Sequence, residues 1–272
     1  MFLKIWSWLV IFLLFFSPEI LSQNFRPHFT NPVSGKTIQL GEDFTYIVKY
    51  AFFNLGEVRI KIVDKETIDH SPVLKTVATM DSYEDLPFVS LHQVYESYID
   101  SSFYPKRFIG TIYNEDTTIT IYNFQNNSLV HVLRGYKNSK NYYVDSTALV
   151  SRKLQDGLSI LFFARINFGA VNEITIPCFV NEKEEVTKIK YFSENEPVSV
   201  ESVDYEIDCK RLEGETDFVS VYGLTGKFEG WFSNDSSSVP IVAKMNVIIG
   251  SVSLELIDWN KNLWNPPKWK EE

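Results

Sequence analysis

The chain has 272 residues, 44% of them hydrophobic and 15% aromatic, and its formal net charge is −9. Such an acidic surface argues against nucleic acid as a partner and against electrostatic attachment to anionic lipid. The length is typical of one large β domain, and the 21 Phe and 14 Tyr residues favour strands over helices.

Residues 1–22 have the features of a secretory signal peptide. Lys4 precedes an apolar run over residues 5–16, which is short for a transmembrane span. We therefore expect cleavage and a secreted or periplasmic protein of the cell envelope, with no transmembrane segment left after cleavage. An uncleaved membrane anchor is the alternative. A lipid anchor is not expected, since no Cys lies near the cleavage point.

Residues 23–37 are polar and contain Pro27 and Pro32, which predicts a linker or a loose N-terminal arm. A single β domain is predicted over residues 38–258, followed by a C-terminal tail at residues 259–272. The first half of the domain contains a hairpin, then a strand, then a short helix or turn leading into another strand, and then a meander. These predicted segments cover residues 44–63, 73–81, 88–99 and 108–145.

One helix is predicted, over residues 156–168. Asp156 is a suitable N-cap, and Gly169 is placed to end the helix. The apolar positions between them follow a period of 3.6 residues. We expect the helix to pack across the sheet with four side chains pointing inward, namely Leu158, Leu161, Phe162 and Ile166.

Strands are predicted again after the helix, over residues 173–180, 186–192, 198–209 and 218–222, before two final hairpins. In the last hairpin the apolar positions are odd-numbered up to Val247 and even-numbered from Val252 onward. A strand that continued unbroken would turn one of these sets to water. The sequence therefore predicts a bulge or tight bend at Gly250, with a positive φ.

About a dozen antiparallel strands and one helix must share a single core. We therefore predict a mainly β fold, in which an antiparallel, strongly curved sheet or incomplete barrel is crossed by the helix of residues 156–168. This arrangement would also protect the edges of the sheet.

Three stretches resemble a bacterial family of exported proteins known as domain of unknown function 3108. They are GEDFTYIVKYAFFNLGEVRIKI from Gly41, DSYEDLPFVSLHQVYESYIDSSFYPKRF from Asp81 and GWFSNDSSSVPIVAKMNVIIGSVSLEL from Gly230. The resemblance covers residues 38–258 and implies a barrel-like antiparallel fold in the bacterial envelope, with no activity attached. The architecture is also similar, by analogy alone, to the periplasmic lipoprotein carriers, whose half-barrels hold acyl chains.

No catalytic constellation is apparent in the sequence. The four histidines, His28, His70, His92 and His131, lack the spacing of metal ligands, and no nucleophile elbow, phosphate loop or metalloprotease motif is present. Acidic pairs such as Glu84–Asp85 lie in predicted turns, where solvated charge is the ordinary explanation. We therefore predict that the protein is not an enzyme and uses no cofactor or metal.

Cys178 and Cys209 each lie on an apolar strand face. In an exported chain they could form one disulfide, or they could be two buried free thiols that act as small hydrophobic residues. The separation of their Cα atoms decides between these alternatives, and the sequence leaves both open.

The excess of aromatic residues is the one feature that points to binding. Aromatic side chains that line a barrel could hold a lipid or another apolar ligand, although most of them would simply fill a β core. Trp259, Trp264 and Trp269 define a candidate interaction tail for a partner protein or a membrane interface. The leading hypothesis is a non-enzymatic envelope protein that binds an apolar ligand. The alternatives are a structural or assembly factor that acts through protein contacts and, with less support, an envelope hydrolase.

Overall fold

The computed structural model describes residues 27–84, 86, 90–125, 128–139, 141–220, 223–247, 250–261 and 263–271. The predicted signal peptide, residues 1–22, lies outside the described residues. Within them the chain forms sixteen strands and one helix. In chain order these are β1 (His28–Thr30), β2 (Thr37–Gln39), β3 (Asp43–Tyr50), β4 (Phe53–Ile68), β5 (Ser71–Ser82), β6 (His92–Asp100), β7 (Pro105–Ile112), β8 (Thr118–Gln125), β9 (Leu129–Tyr136), β10 (Tyr142–Leu149), α1 (Ser159–Asn167), β11 (Glu173–Val180), β12 (Lys183–Val198), β13 (Ile207–Thr216), β14 (Leu224–Ser233), β15 (Pro240–Val247) and β16 (Gly250–Asn260).

Fourteen strands form one antiparallel sheet, in the order β10-β9-β8-β7-β6-β5-β4-β3-β16-β15-β14-β13-β12-β11. It consists of two meanders, β3 to β10 and β11 to β16, which join where β16 pairs with β3. The two edge strands, β10 and β11, follow each other in the chain, and α1 lies in the connection between them. The predicted fold class, an antiparallel incomplete barrel with one helix, is confirmed.

The gap between the two edge strands is partly covered. The backbone of Gln155 lies along the free edge of β11: its N–H donates to the carbonyl of Pro177 (2.9 Å), and its carbonyl accepts from the N–H of Phe179 (2.7 Å). Arg134 of β9 and Glu182, in the turn after β11, form an ion pair of 2.6 Å. The backbone hydrogen bonds of Gln155 block part of an edge that would otherwise be open to another strand.

The helix begins three residues later than predicted, at Ser159, because Asp156 forms a capping turn ahead of it. Its Oδ1 accepts from the N–H groups of Leu158 and Ser159 (2.8 and 2.7 Å), and the N–H of Asp156 donates to Ser159 Oγ (2.8 Å). This reciprocal pattern is a capping box. Gly169 follows the helix with a φ of +83°, as its predicted role as a stop requires.

The predicted linker or loose arm, residues 23–37, differs from the structure over its described part. β1 and β2 pair as a small separate sheet, with Phe29 opposite Ile38. Ile38 is fully buried, and the ring of Phe29 contacts that of Phe103 edge to face. Ser34 Oγ also donates to the carbonyl of Ile166 in α1 (2.5 Å). Burial of apolar side chains thus fixes a segment that is polar in composition.

The predicted bend at Gly250 is confirmed. β15 ends at Val247 and β16 begins at Gly250, and these two residues pair in an antiparallel hairpin. Gly250 has a φ of +131°, and a Cβ added there would lie 2.9 Å from the ring of Tyr50. The change in apolar parity therefore marks a chain reversal.

Two predicted strands need correction. Residues 198–209 do not form one strand, because β12 ends at Val198 and β13 begins at Ile207. The alternating Val203 and Tyr205 between them pack on a buried cluster from a loop, which gives them the burial that suggested a strand. In the prediction for 218–222, residues 218–220 are not in a strand, and 221 and 222 lie outside the described residues.

The inner core of the first meander is densely filled, and we call this region the filled half. Large rings from successive strands lie on one another: Phe108 is 6.0 Å from Tyr95 and 5.5 Å from Tyr122, centroid to centroid. Phe179 of β11 meets Tyr122 edge to face at 5.0 Å. Phe162 of α1 is buried in the same cluster. Aromatic pairs at these separations add to the stabilisation from burial alone.

Candidate functional site: an apolar cavity

A cavity of about 680 Å³ lies on the other side of α1, between the helix and the strands that flank the β3–β16 junction. We call this region the hollow half. Its volume falls in the range of roughly 300–1,000 Å³ that is usual for ligand sites. The side chains that give it its apolar character are Tyr46, Val48, Leu55, Val58, Ile60, Met80, Leu91, Ile160, Leu161, Ala164, Ile189, Leu212, Phe218, Phe228, Phe232, Met245, Val252 and Leu254.

Strand alternation places these side chains inside. Tyr46 and Val48 are two residues apart on β3, and they pair across the sheet with Leu256 and Leu254 of β16. Residues two apart on a strand, and residues directly paired between strands, point to the same face. Leu161 was predicted to point inward, and it is half-buried because its side chain borders the cavity. The other helix residues that were predicted to point inward are fully buried.

Small residues keep the cavity open. Gly230 of β14 pairs with Ala243 of β15 in the cavity wall, and Ala164 lies on the helix that crosses it. The ring of Phe228 lies close over Gly214, where an added Cβ would be 2.0 Å from its Cζ. Glycine and alanine carry no side chain long enough to reach the opposite wall. The space between helix and sheet is therefore not filled as it is in the filled half.

The cavity has a closed floor and an exposed mouth. Tyr46, Ala164 and Phe232 are buried at the floor, where the Tyr46 hydroxyl donates to the carbonyl of Pro240 (3.1 Å). Burial raises the pKa of Tyr46, so the hydroxyl remains a neutral donor. In contrast, Ser90 and Leu91, in the connection between β5 and β6, are exposed to solvent. A ligand would enter from that end.

Charged groups are nearly absent from the inner wall. Among the described residues that line the cavity, none is Lys, Arg or His. Glu57, Asp81 and Glu229 border it at strand positions that alternate to the outer face, where they bond to Tyr83, His92 and Arg211 respectively. Such a wall favours an apolar ligand, because an unpaired charge is costly to bury.

Asp156 is the exception, since its carboxyl group is completely buried. Its Oδ2 accepts a hydrogen bond of 2.5 Å from Ser97 Oγ, in addition to the capping bonds to the start of α1. Burial raises the pKa of Asp156 to about 6, against the lowering effect of these hydrogen bonds. All its described contacts belong to the cap and to Ser97, which makes it part of the support of the helix.

A buried ion group, which we call the Glu42 triad, lies beside Tyr46. Arg165 of α1 donates to Glu42 through Nη1 (2.6 Å) and Nη2 (3.1 Å), and the Lys261 ammonium also donates to Glu42. Arg165 Nε donates to the carbonyl of Ser237 (2.7 Å). Burial lowers the pKa of Lys261. The triad ties together the β2–β3 connection, the helix and the residue after β16, and the sequence did not predict it.

The two cysteines are free and buried. Cys178 pairs with Glu185 on β12, whereas Cys209 pairs with Glu196 of the same strand. At ~3.3 Å per strand residue, that offset separates them by on the order of 30 Å. A disulfide requires Cα atoms less than ~7 Å apart. Of the two alternatives for these residues, the structure therefore has the free thiols.

The predicted interaction tail packs against the body. Trp259 belongs to β16, and its indole donates to the carbonyl of Trp264 (3.1 Å). The Trp264 indole donates to Asp235 (2.6 Å), and the backbone N–H of Trp269 donates to the carbonyl of Glu206 (2.8 Å). Docking of a partner through these indoles stays a prediction, but the three residues already have internal partners.

The remaining candidate groups lie apart from one another. His92 bonds to Asp81, and His131 bonds to Asp145 (2.8 Å), each on an exposed surface. Within the described part of the chain, no three His, Cys, Asp or Glu residues are grouped to hold a metal ion, and no helix is long and apolar enough to cross a membrane.

A second depression, of about 790 Å³, lies on the outer face of β11 to β15. Charges of both signs alternate along it, among them Glu173, Lys188, Lys190, Glu213 and Lys227. Mixed charges of this kind are typical of a solvated sheet face. The inner cavity is therefore the stronger candidate for a ligand site, although it is the smaller of the two.

Comparison with known proteins gives a family and a fold. A family model described as "Protein of unknown function (DUF3108)" matches residues 45–257, which confirms the resemblance seen in the sequence. The crystal structure of a beta-barrel-like protein of domain of unknown function DUF1849 from Brucella abortus matches 81% of this chain and 97% of its own length. Its TM-score is 0.54 at 9% sequence identity. At that identity the similarity supports the fold alone.

A structure described as a "putative exported protein with YmcC-like fold" from Bacteroides fragilis matches 87% of this chain and 100% of its own length. Its TM-score of 0.30, at 11% identity, is too low to support an argument. None of the curated proteins matches the sequence.

Proposed function

The chain belongs to the DUF3108 family of proteins of unknown function, and from its geometry we propose that it is a non-enzymatic binding protein of the cell envelope. Its ligand is an apolar, lipid-like molecule held in the hollow half of the barrel. The observation that carries this proposal is the cavity of about 680 Å³ with its apolar inner wall.

The contrast with the filled half supports a binding role. An empty apolar cavity of this size lowers the stability of the fold, because the side chains around it lack packing partners on one side. A bound hydrocarbon would restore those contacts and remove apolar surface from water. The signal-like N-terminal segment supports a location in the periplasm or outside the cell. Membranes of the cell envelope would supply a lipid-like ligand there.

The first test is mass spectrometry of organic extracts from the mature protein, purified from the envelope without detergent. We expect an apolar molecule in stoichiometric amount. A ligand-free protein that also fails to bind apolar probes would contradict the proposal and favour the assembly-factor alternative.

A variant that fills the cavity tests where the molecule is held. Leu254→Trp adds a ring to a half-buried position on the inner wall, where it has empty space to occupy. We expect this variant to fold and to retain much less of the extracted molecule than the wild type does.

Leu149→Trp is the matched control, because Leu149 is 85% exposed at the end of β10 and does not line the cavity. Equal retention by the two variants would place the molecule elsewhere and contradict binding in the cavity.

A further inference from the structure

We infer that the ligand is a long-chain amphiphile whose head carries no negative charge, with its chain toward the floor and its head at the mouth. This inference rests on the proposed function and specifies the class of molecule that the same cavity takes.

The shape determines the direction of the chain. The floor is closed by Tyr46, Ala164 and Phe232, all buried, and by the Tyr46 hydrogen bond to Pro240. Among the described lining residues, the exposed ones are Asp81, Ser90 and Leu91, all at or beside the connection between β5 and β6. A polar head at the floor would lose its hydration without gaining a partner, which is unfavourable. The head therefore remains at the mouth, and the hydrocarbon chain extends inward.

The charge of the wall selects against an anionic head. Carboxylate and phosphate groups are held in proteins by Arg, Lys or clustered N–H donors. None of the described lining residues is Lys, Arg or His. An anionic head drawn below the mouth would lie among apolar side chains without a counter-ion, which is unfavourable.

The residues at the mouth also disfavour an anionic head. Glu57 and Asp81 are paired on neighbouring strands beside it, and Leu91 is held there because its N–H donates to Ser82 Oγ (2.9 Å). Both carboxylates point to the outer face, where they bond to Tyr83 and His92, and their negative charge beside the mouth disfavours an anionic head. Ser82 and Ser90 supply hydroxyl groups that suit an uncharged polar head such as an alcohol or an ester.

The test uses two probes with the same acyl chain, a neutral methyl ester and an ionised carboxylate. Delipidated protein is loaded with the neutral dye Nile red, and the dye is displaced by methyl laurate or by laurate at pH 8, where the carboxylate of laurate is ionised. We expect methyl laurate to displace the dye, and laurate to bind weaker by roughly tenfold or more.

A variant that adds a cation at the mouth tests the position of the head. Leu91 is exposed, so Leu91→Lys is tolerated there and supplies a counter-ion to a carboxylate. We expect this variant to bind laurate about fivefold more tightly, the effect of one exposed ion pair, with methyl laurate unchanged. Leu149→Lys is the control, and we expect it to leave both affinities as they are, since Leu149 lies outside the cavity lining.

The outcomes separate this inference from the proposed function. If laurate binds as tightly as methyl laurate, the assignment of the head is wrong while the cavity remains a binding site. An unchanged affinity for laurate in Leu91→Lys would contradict the placement of the head at the mouth. If neither probe displaces the dye, or if Leu254→Trp leaves methyl laurate binding intact, the proposed function itself fails.

Discussion

In the filled half, rings from neighbouring strands stack on one another, as Phe108 and Tyr122 do at 5.5 Å. In the hollow half, the corresponding inner pair of Gly230 and Ala243 leaves space between sheet and helix. Both regions use the same alternation of inward and outward side chains. The difference shows that in this fold the size of a few inward residues decides whether the interior becomes a core or a cavity.

The helix serves the two regions in different ways. Its fully buried side chains, such as Phe162, complete the filled half, while the half-buried Leu161 borders the cavity. One amphipathic element thus separates a packed region from an empty one.

Removal of the central carboxylate of the Glu42 triad would break the support beneath the hollow half. Glu42→Ala leaves Arg165 and Lys261 as two buried cations without a counter-ion. We expect a loss of ~3–5 kcal/mol in the free energy of unfolding, measured by urea denaturation.

The neighbouring residue provides the control for this variant. Asp43 binds Arg59 in an exposed ion pair of 2.6 Å, so Asp43→Ala should cost at most ~1 kcal/mol. Similar losses in the two variants would mean that Glu42 is not a buried structural anion.

Truncation of one leucine in each half compares their packing directly. Leu74 is completely buried in the filled half, so Leu74→Ala should cost ~2–5 kcal/mol. Leu254 is half-buried on the cavity wall, and its removal should cost ~1 kcal/mol, because fewer atoms contact it on the cavity side. Urea denaturation measures both. Equal losses would show that the hollow half is packed in solution, and the comparison between the halves would fail.

Asp156 should make the free energy of unfolding dependent on pH. Its folded-state pKa of about 6 lies above its ordinary value of 3.8 because of burial, so the folded protein holds the proton more tightly than the unfolded chain does. The resulting stabilisation is fully present below pH ~4 and is lost as the pH rises through ~6; by linkage it is on the order of 3 kcal/mol.

Asp156→Asn is the variant that tests this dependence, since Asn caps helices as well as Asp does and does not titrate. Unfolding free energies of both proteins are compared across the range from pH 4 to pH 7.5. We expect the wild type to lose stability relative to the variant as the pH rises. A constant difference would show that the carboxyl group is not buried as described.

The two thiols give the smallest effect, because the folded protein should show no change in mass on treatment with a thiol reagent. Burial raises the pKa of Cys178 to about 12 and also raises that of Cys209, so neither is a reactive thiolate at neutral pH. Iodoacetamide should leave the native protein unmodified and should alkylate both residues in denaturant without reductant. Failure of alkylation until reductant is added would reveal a disulfide and would contradict the separation between β11 and β13.

Local patterns in the sequence determined much of the secondary structure. The turn between β15 and β16 followed from the parity change at Gly250, and α1 followed from the apolar period between Asp156 and Gly169. These features depend on neighbours only a few residues apart. The antiparallel β class followed from the same kind of evidence, namely short runs of alternating apolar and polar residues that are separated by turn residues.

Only the tertiary structure decided the features that join distant parts of the chain. The Glu42 triad brings together residues from near both ends and from the middle, and its one signal was Arg165 within the apolar stripe of the helix. The position of the cavity depends on Ala164, Gly230 and Ala243. No sequence pattern marks these three small residues, and they line the same cavity only because the sheet curves around α1. Periodicity tells which side chains point inward, but the volume left between them depends on which strands face each other across the barrel.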